Sequence, residues 1–430
     1  AHISDANLAG KTLEIATGSD LSGARLLFLS LRPTAMATLQ DADVNRPAFP
    51  ASYEWRGCQK MTVNDLLAGG PVLAPNSRFC LFDSGSVGNN DMIFNRPRIR
   101  SDRERCVAAG GNGFRFQTCT NILIDGFDIN WARNPFTQDT TKRCQNIEVR
   151  NGVIRNFTDN AFILGSDISV PEGSDWYIHH IIILNPMRSS PADNTHIDFF
   201  QGSDSSRRNT IRLEFIHAHQ AIGDATCQNI HNGTTVSGNQ TNLTPTDADT
   251  WIIRNYVATV RGYNGILMGS SQNGVVERTT LWKQIAGPVS DFVDPGTSDT
   301  DAPSPGGPNF SLPDFNNYVA GNVMRKALFF GSLTASATPL TKWDISDGVT
   351  FYNATPTAPA TDVGFVVSNP MAALALVDFS DDRSAADIVA DIVAIFTPIE
   401  DGPLKRPDGT YNGAFNPDGS WSTDAPYVPS

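Results

Sequence analysis

The stretch Tyr177–Asp204, YIHHIIILNPMRSSPADNTHIDFFQGSD, decides the fold of this chain. It opens on an apolar strand, turns through an Asn/His-rich corner, makes a second short strand and closes on a Gly. The same unit precedes it at Asn146–Asp167 (NIEVRNGVIRN–AFILG). It follows at Thr210–Gly233 (TIRLEFIHAH–NIHNG) and Trp251–Gly269 (WIIRNYVATV–GILMG). β-Branched residues at period two, in a motif that returns every few tens of residues, mark a coiled β-solenoid. Successive coils then stack their side chains in columns about 4.8 Å apart, which makes neighbours of residues distant in sequence.

Working outward, the pattern extends back to NGFRF (112–116) and NILIDGFDIN (121–130) and forward to GVVERTTLWKQ (274–284). The Pro/Gly/Asp/Ser-dense run Gly287–Leu312 reads as a long loop. Coil-like text resumes in YVAGNVMRKALFF (318–330), DGVTFYNAT (347–355) and VGFVVSN (363–369). Ala385–Phe396 (AADIVADIVAIF) has apolar residues at helical spacing and predicts a short amphipathic helix. The expected organisation is an N-terminal cap with first coils over 1–100, a parallel β-helix over 101–375, and a helix with a turn-rich capping tail over 376–430. The cap is expected because an open first coil leaves a sheet edge exposed.

The bulk numbers agree. The 35 Gly and 27 Pro among 430 residues suit many turns, and a 40% hydrophobic content fills a continuous core. A solenoid of this length need not divide into domains. The net charge of −13 argues against nucleic acid as partner, while a local basic groove can still hold an acidic polysaccharide. No stretch reaches the roughly 20 apolar residues of a membrane helix, so no membrane insertion is expected, and no signal peptide is visible at the start. The six cysteines form no CxxC pair. Cys119 and Cys144 each stand two residues before an Asn-Ile, which stacks them on adjacent coils. They are either a disulfide, which would favour an extracellular setting, or two buried thiols in a column.

By this recurring strand-and-turn unit, residues ~110–370 resemble a right-handed parallel β-helix of the pectate-lyase-like superfamily. The tail sequence Gly413-Ala414-Phe415 partly resembles the D-x-G-A-Y/F ending of many secreted β-helix proteins. The superfamily contains polysaccharide lyases, polygalacturonase-like hydrolases, uronan epimerases and phage tailspike depolymerases. The resemblance implies a polysaccharide substrate, a secreted or virion-borne protein, and a monomer or a trimer. The paired-Asp and Gly-His-Gly signature of polygalacturonases and the tyrosine-bearing motif of alginate epimerases are absent.

Counting back from the closing glycines Gly165, Gly202, Gly233 and Gly269 gives two alternating sets. Leu164, Gln201, Asn232 and Met268, with Phe162, Phe199, Ile230 and Ile266, are expected inside, Gln201 and Asn232 as a stacked amide pair. The other set, including Ala161, then faces outward and collects Asp159, His196, Asp198, Phe200, Asn229, His231 and Tyr263 into a groove suited to sugar. Six of the 7 histidines fall between His179 and His231. His179 and His180 are expected on opposite faces, at least one of them structural. His217 and His219 could line the groove, and the loop Pro186–Thr195 should overhang it.

A polysaccharide lyase is the preferred chemistry. β-Elimination needs a base, a cation for the carboxylate, and an acid for the leaving oxygen. His196 or His231 could be the base and Tyr263 the acid, with Asn229, Phe200, His219, Arg188, Arg261 and Lys283 binding substrate. Asp159, Asp193 and Asp198 could hold Ca²⁺ through hard oxygen ligands. A glycoside hydrolase using Asp159 and Asp198, with Asp193 and Asp224 as other partners, is the alternative. A non-catalytic tailspike-like adhesin is the third. A one-residue slip of register would turn the whole set inward.

Overall fold

A computed structural model describes residues 2–4, 9–21, 24–42, 52–69, 78–83, 88–102, 106, 111–167, 169–187, 197–202, 208–220, 227–232, 249–260, 266–268, 273–283, 309–310, 322–333, 343–353 and 363–422. They form two sheets, of ten and eighteen strands. Each strand pairs in parallel with its counterparts on the coils above and below. The molecule is an all-β parallel β-helix, and the described residues are β-strand and turn apart from two short helices near the C-terminal end and a helical Cys106. Parallel strands already begin at His2–Ser4 and Thr12–Ile15. They run to Thr350–Asn353.

Each coil has three faces. The short strands of the ten-stranded sheet, such as Phe136–Gln138 and Phe162–Leu164, make the first. The larger sheet folds over a corner and supplies the other two. Cys119–Asp125 and Asp128–Ala132 are separate strands on either side of that corner, whereas Cys144–Phe157 and Asp175–Pro186 run through it.

The corner is one left-handed residue per coil. Asp65, Arg96, Gly126, Asn151, His180, Phe215, Asn255, Arg278, Lys326 and Gly348 lie in register, all with φ between 48° and 72°. An L-residue resists this conformation by roughly 1–2 kcal/mol. The column persists because it lets the flanking backbone keep its ladder hydrogen bonds on both faces. Phe215 is the bulkiest member. Its ring stacks on His180 at 4.6 Å and meets Trp421 edge-on at 5.8 Å.

Inside, aromatic rings stack along the axis. Phe114–Phe136, Phe136–Phe162 and Phe162–Phe200 are 5.2, 4.7 and 5.0 Å apart. Gly152 is required by close approach, since a Cβ there would lie 2.3 Å from the Phe127 ring. Cys119 and Cys144 do pair across adjacent coils. They are buried thiols rather than a disulfide, and burial raises the Cys144 pKa.

The glycine register needs one correction. Gly202 pairs with Leu164 rather than with Gly165, so its coil is offset by one residue. Phe200 therefore enters the core on Phe162. Gln201 turns to the outer column, paired in register with Ile163 and His231. Gln201 therefore stands out of register with Asn232, which the expected amide stack required as its neighbour. The next pairing, Ile230↔Ile266 and Asn232↔Met268, keeps the expected register.

The C-terminal segment departs from the coil. Its helix spans Ala385–Phe396 as expected, capped by Ser384, whose side chain accepts from the Asp387 amide. Phe365 pairs antiparallel with Pro398, so VGFVVSN belongs to this segment rather than to a coil. The segment covers the third face. Phe365, Ile388, Ile392, Phe396, Leu404 and Phe415 pack on Leu184, Val257, Trp282, Leu328 and Phe330. Arg155 donates to the Arg383 carbonyl (2.7 Å), Asn185 to the Phe379 carbonyl (2.9 Å) and Asn255 to the Ser422 carbonyl (2.6 Å).

Candidate functional site

The groove expected on the first face is only partly within the described residues. His196, Tyr263, Arg188, Arg261, Asp193, Asp224 and most of the loop Pro186–Thr195 lie outside them, as do the side chains of His231 and Lys283. The members that are described do not converge on an outer surface. Asp198 is 2% exposed. It is a rung of a corner ladder, Asn112–Asn134–Asn160–Asp198, in which the Asn160 amide accepts from the Asp198 backbone N–H at 2.9 Å. Ala161 and Asn229 are buried inside the coil, and Asn229 accepts from the Tyr256 hydroxyl.

Phe200 is in the aromatic stack. Asp159 is half-buried and bound by Arg133 (3.1 Å) and by the Asn134 and Asn160 amides. As Ca²⁺ ligands Asp159 and Asp198 fit poorly, because a guanidinium already neutralises the first and the coil encloses the second. Among the described residues no group of three His, Cys, Asp or Glu side chains is placed to hold a metal.

His217 and His219 sit on the third face, sealed beneath the C-terminal segment. His217 stacks on Phe415 at 5.9 Å and lies tilted against Trp421 at 4.8 Å. His217 Nδ1 is 3.3 Å from His219 Nε2, and His219 Nδ1 is 3.3 Å from the Thr259 hydroxyl. Burial pulls the pKa of His217 down to about 3 and that of His219 well below the usual range. Neither lines a groove.

A cluster with an exposed histidine, His180, lies on the second face. Its outer column just before the corner reads Asp125, Arg150, His179, Glu214, Arg254, Glu277, Arg325, Asp347 on successive coils. Opposite charges stacked at coil spacing attract as cross-strand pairs do. Arg150 bridges Asp125 (3.0 Å) and Glu148 (2.7 Å), and Arg254 bridges Glu214 (3.4 Å) and Glu277 (3.1 Å).

In the middle of this ladder stand Tyr177 and His179, rings stacked at 4.2 Å. The Tyr177 hydroxyl donates to Glu214 at 2.9 Å, and His179 Nε2 lies 3.2 Å from Glu148. The Arg212 guanidinium lies 5.3 Å from the centroid of the Tyr177 ring, within cation–π range. His180 is not on the opposite face. The left-handed corner breaks the alternation, and its Nδ1 comes 2.7 Å from His179 Nδ1.

This contact couples the proton positions of the two rings. The His179 hydrogen bond holds the Glu148 carboxyl below its usual pKa against the opposing effect of burial, with Arg150 assisting. Ionised Glu148 can only accept, so His179 donates from Nε2. In the tautomer in which His179 carries its only ring hydrogen on Nε2, its Nδ1 accepts and His180 donates from its own Nδ1. The unprotonated Nε2 of His180, an exposed residue, is then a lone-pair donor with no partner among the described residues. Desolvation, then the proximity of His179, lowers the His180 pKa and keeps the ring neutral near pH 7.

Sequence reading passed over this cluster because strand alternation separated the two histidines, and because the columns were counted from the closing glycines of the first face, where Glu148, Glu214 and Arg254 do not lie. The signal that could have found it was the alternating column itself. No protein-family model matches the chain and no curated protein matches its sequence, so the functional reading rests on these residues alone.

Proposed function

We propose that the protein depolymerises an acidic, uronate-containing polysaccharide by β-elimination on the second face, with His180 as the base. The observation that carries this reading is the His179–His180 contact, which sets an exposed imidazole beside aromatic and cationic side chains. The proton α to the uronate carboxyl moves to His180 Nε2. The electron pair forms the carbon–carbon double bond and the glycosidic C–O bond breaks. The same imidazole returns its proton to the leaving oxygen, as a base that becomes the acid. Arg212 neutralises the uronate carboxylate as charge develops. Tyr177, oriented by Glu214, is the ring on which a sugar stacks. A substrate of this kind places the protein outside the cell, free or on a virion.

A glycoside hydrolase is the second reading, favoured by Glu148 and Glu214. They stand on the coils either side of the Tyr177–His179 pair, a layout that offers two carboxyl groups to one bond. Asp159 and Asp198 support it less well: Glu214 is as buried as Asp198, but Glu148 is more open than Asp159, which Arg133 holds. Incubation with uronate-containing and neutral polysaccharides, with and without chelator, separates these readings. The lyase reading expects rising near-ultraviolet absorbance from the unsaturated uronate. Reducing ends without absorbance would replace it by the hydrolase, binding without either product by an adhesin. Loss of activity on chelation would return a Ca²⁺ ion to the account.

A further inference from the structure

We propose that Trp421 of the C-terminal segment is a positioning residue for His180, acting through Phe215 to hold the imidazole in place. This rests on the reading of His180 as the base, and it adds the element that orients it. Among the described residues, His179 and Phe215 hold the His180 ring. Its Nδ1 lies 2.7 Å from His179 Nδ1, and its plane stacks on Phe215 at 4.6 Å. Phe215 in turn meets Trp421 edge-on at 5.8 Å. The three rings run across the corner, from the second face to the segment that covers the third.

Phe215 is an unusual corner residue. The described corner column otherwise holds polar residues and glycines, and Phe215 brings the one apolar side chain to it. Its φ is 56°, a conformation that a bulky residue resists. Backbone strain of this kind persists where the surroundings maintain it, and it gathers at functional sites. Phe215 is half-buried, so burial in the core does not account for it. What its ring meets is His180 and Trp421.

Trp421 is itself anchored. It pairs antiparallel with Phe415, and the two rings lie 4.9 Å apart. It also lies tilted against His217 at 4.8 Å. The hairpin that carries it is tied to the corner column. Asn255, which follows Phe215 in that column, donates to the Ser422 carbonyl at 2.6 Å, and the Gly413 N–H donates to the Lys326 carbonyl at 2.8 Å. Asn416 donates to the Trp421 carbonyl at 3.1 Å. A catalytic side chain keeps its geometry only where neighbours lock its rotamer. Displacing such a group by about 1 Å through a remote change costs about 10²-fold in rate.

The test follows His180 in the full chain by NMR of isotope-labelled histidine, its signal assigned by its loss in His180→Gln. His179, Glu214 and Arg150 are the titratable and charged groups that act on His180, and the variants leave all three in place. Trp421→Ala should shift the His180 ring nitrogen signals and raise its pKa toward about 6.5, because a looser ring regains the water whose loss holds its pKa down. Trp421→Leu, which keeps apolar volume without a ring, should do the same, and Trp421→Phe should restore the wild-type signals. Phe365→Ala, whose ring packs on Phe330 and Phe396 instead, should loosen the segment without moving them. In a Phe215→Leu background, Trp421→Ala should add nothing. Unchanged His180 signals in folded Trp421→Ala and Trp421→Leu, an equal shift in Phe365→Ala, or a further shift in the Phe215→Leu background would overturn the proposal. On a polyuronate that wild type cleaves, Trp421→Ala should lose about tenfold or more in kcat with KM little changed, and an unchanged kcat would overturn it as well. Signals that shift as expected while no polyuronate is cleaved would leave the positioning standing and refute only the reaction.

Discussion

Two histidine pairs one coil apart meet opposite fates. His179 and His180 stand on the second face, hydrogen-bonded to each other and to Glu148, with His180 exposed. His217 and His219 stand on the third face, also in contact with each other, yet enclosed by Phe415, Trp421 and Thr259. The strands are neighbours in one sheet. What differs is the covering: residues 363–422 close the third face and leave the second open. Residue type alone therefore does not mark a site in a solenoid, because a neighbouring segment decides which columns meet water.

The strongest way to break this contrast is to loosen the cover. Phe415 is 2% exposed and packs on both His217 and Trp421. Phe415→Ala should cost about 3–5 kcal/mol, read as a fall in the denaturant midpoint. A shift below about 1 kcal/mol would mean that the segment lies loosely on the third face.

Acid should sharpen the contrast next. The pKa of His217 is depressed to about 3 in the fold, against about 6.5 unfolded. Between those values the unfolded chain binds a proton that the native chain does not, so stability falls as pH falls. Each such histidine contributes up to about 1.4 kcal/mol per pH unit. Lowered carboxylates such as Asp125 and Glu148 lose their contribution only near pH 4 and below, so the window from 6.5 to 5 reports on histidines. His217→Gln should have a shallower stability slope there, whatever its absolute stability. An unchanged slope would show that His217 takes up a proton without opening the cover.

The smallest effect concerns the corner that both faces share. Gly126 has φ of 69°, and Gly126→Ala should destabilise by about 1–2 kcal/mol. No loss would mean the corner relaxes freely.

The repeat itself was legible because apolar alternation and closing glycines survive in every clear unit. The helix Ala385–Phe396 was legible from its own periodicity. The side-chain directions were less so. Phe199 and Phe200 are both apolar, so either satisfies the core, and the offset of Gly202 left no trace in the text. The corner column holds Asp, Arg, Gly, Asn, His, Phe and Lys. No shared residue type announces a left-handed conformation there, although it is what brings His180 beside His179. The covering of His217 depends on Phe415 and Trp421, some two hundred residues away, which local pattern cannot relate to it.

The measurement that tests the central claim most directly is polyuronate cleavage, followed by near-ultraviolet absorbance, in wild type, His180→Gln and His217→Gln at pH 7. The account predicts that His180→Gln loses about 10²–10⁴ in kcat with its unfolding midpoint within about 1 kcal/mol of wild type, while folded His217→Gln retains its kcat. Full activity in His180→Gln, or equal loss in both variants, would contradict it.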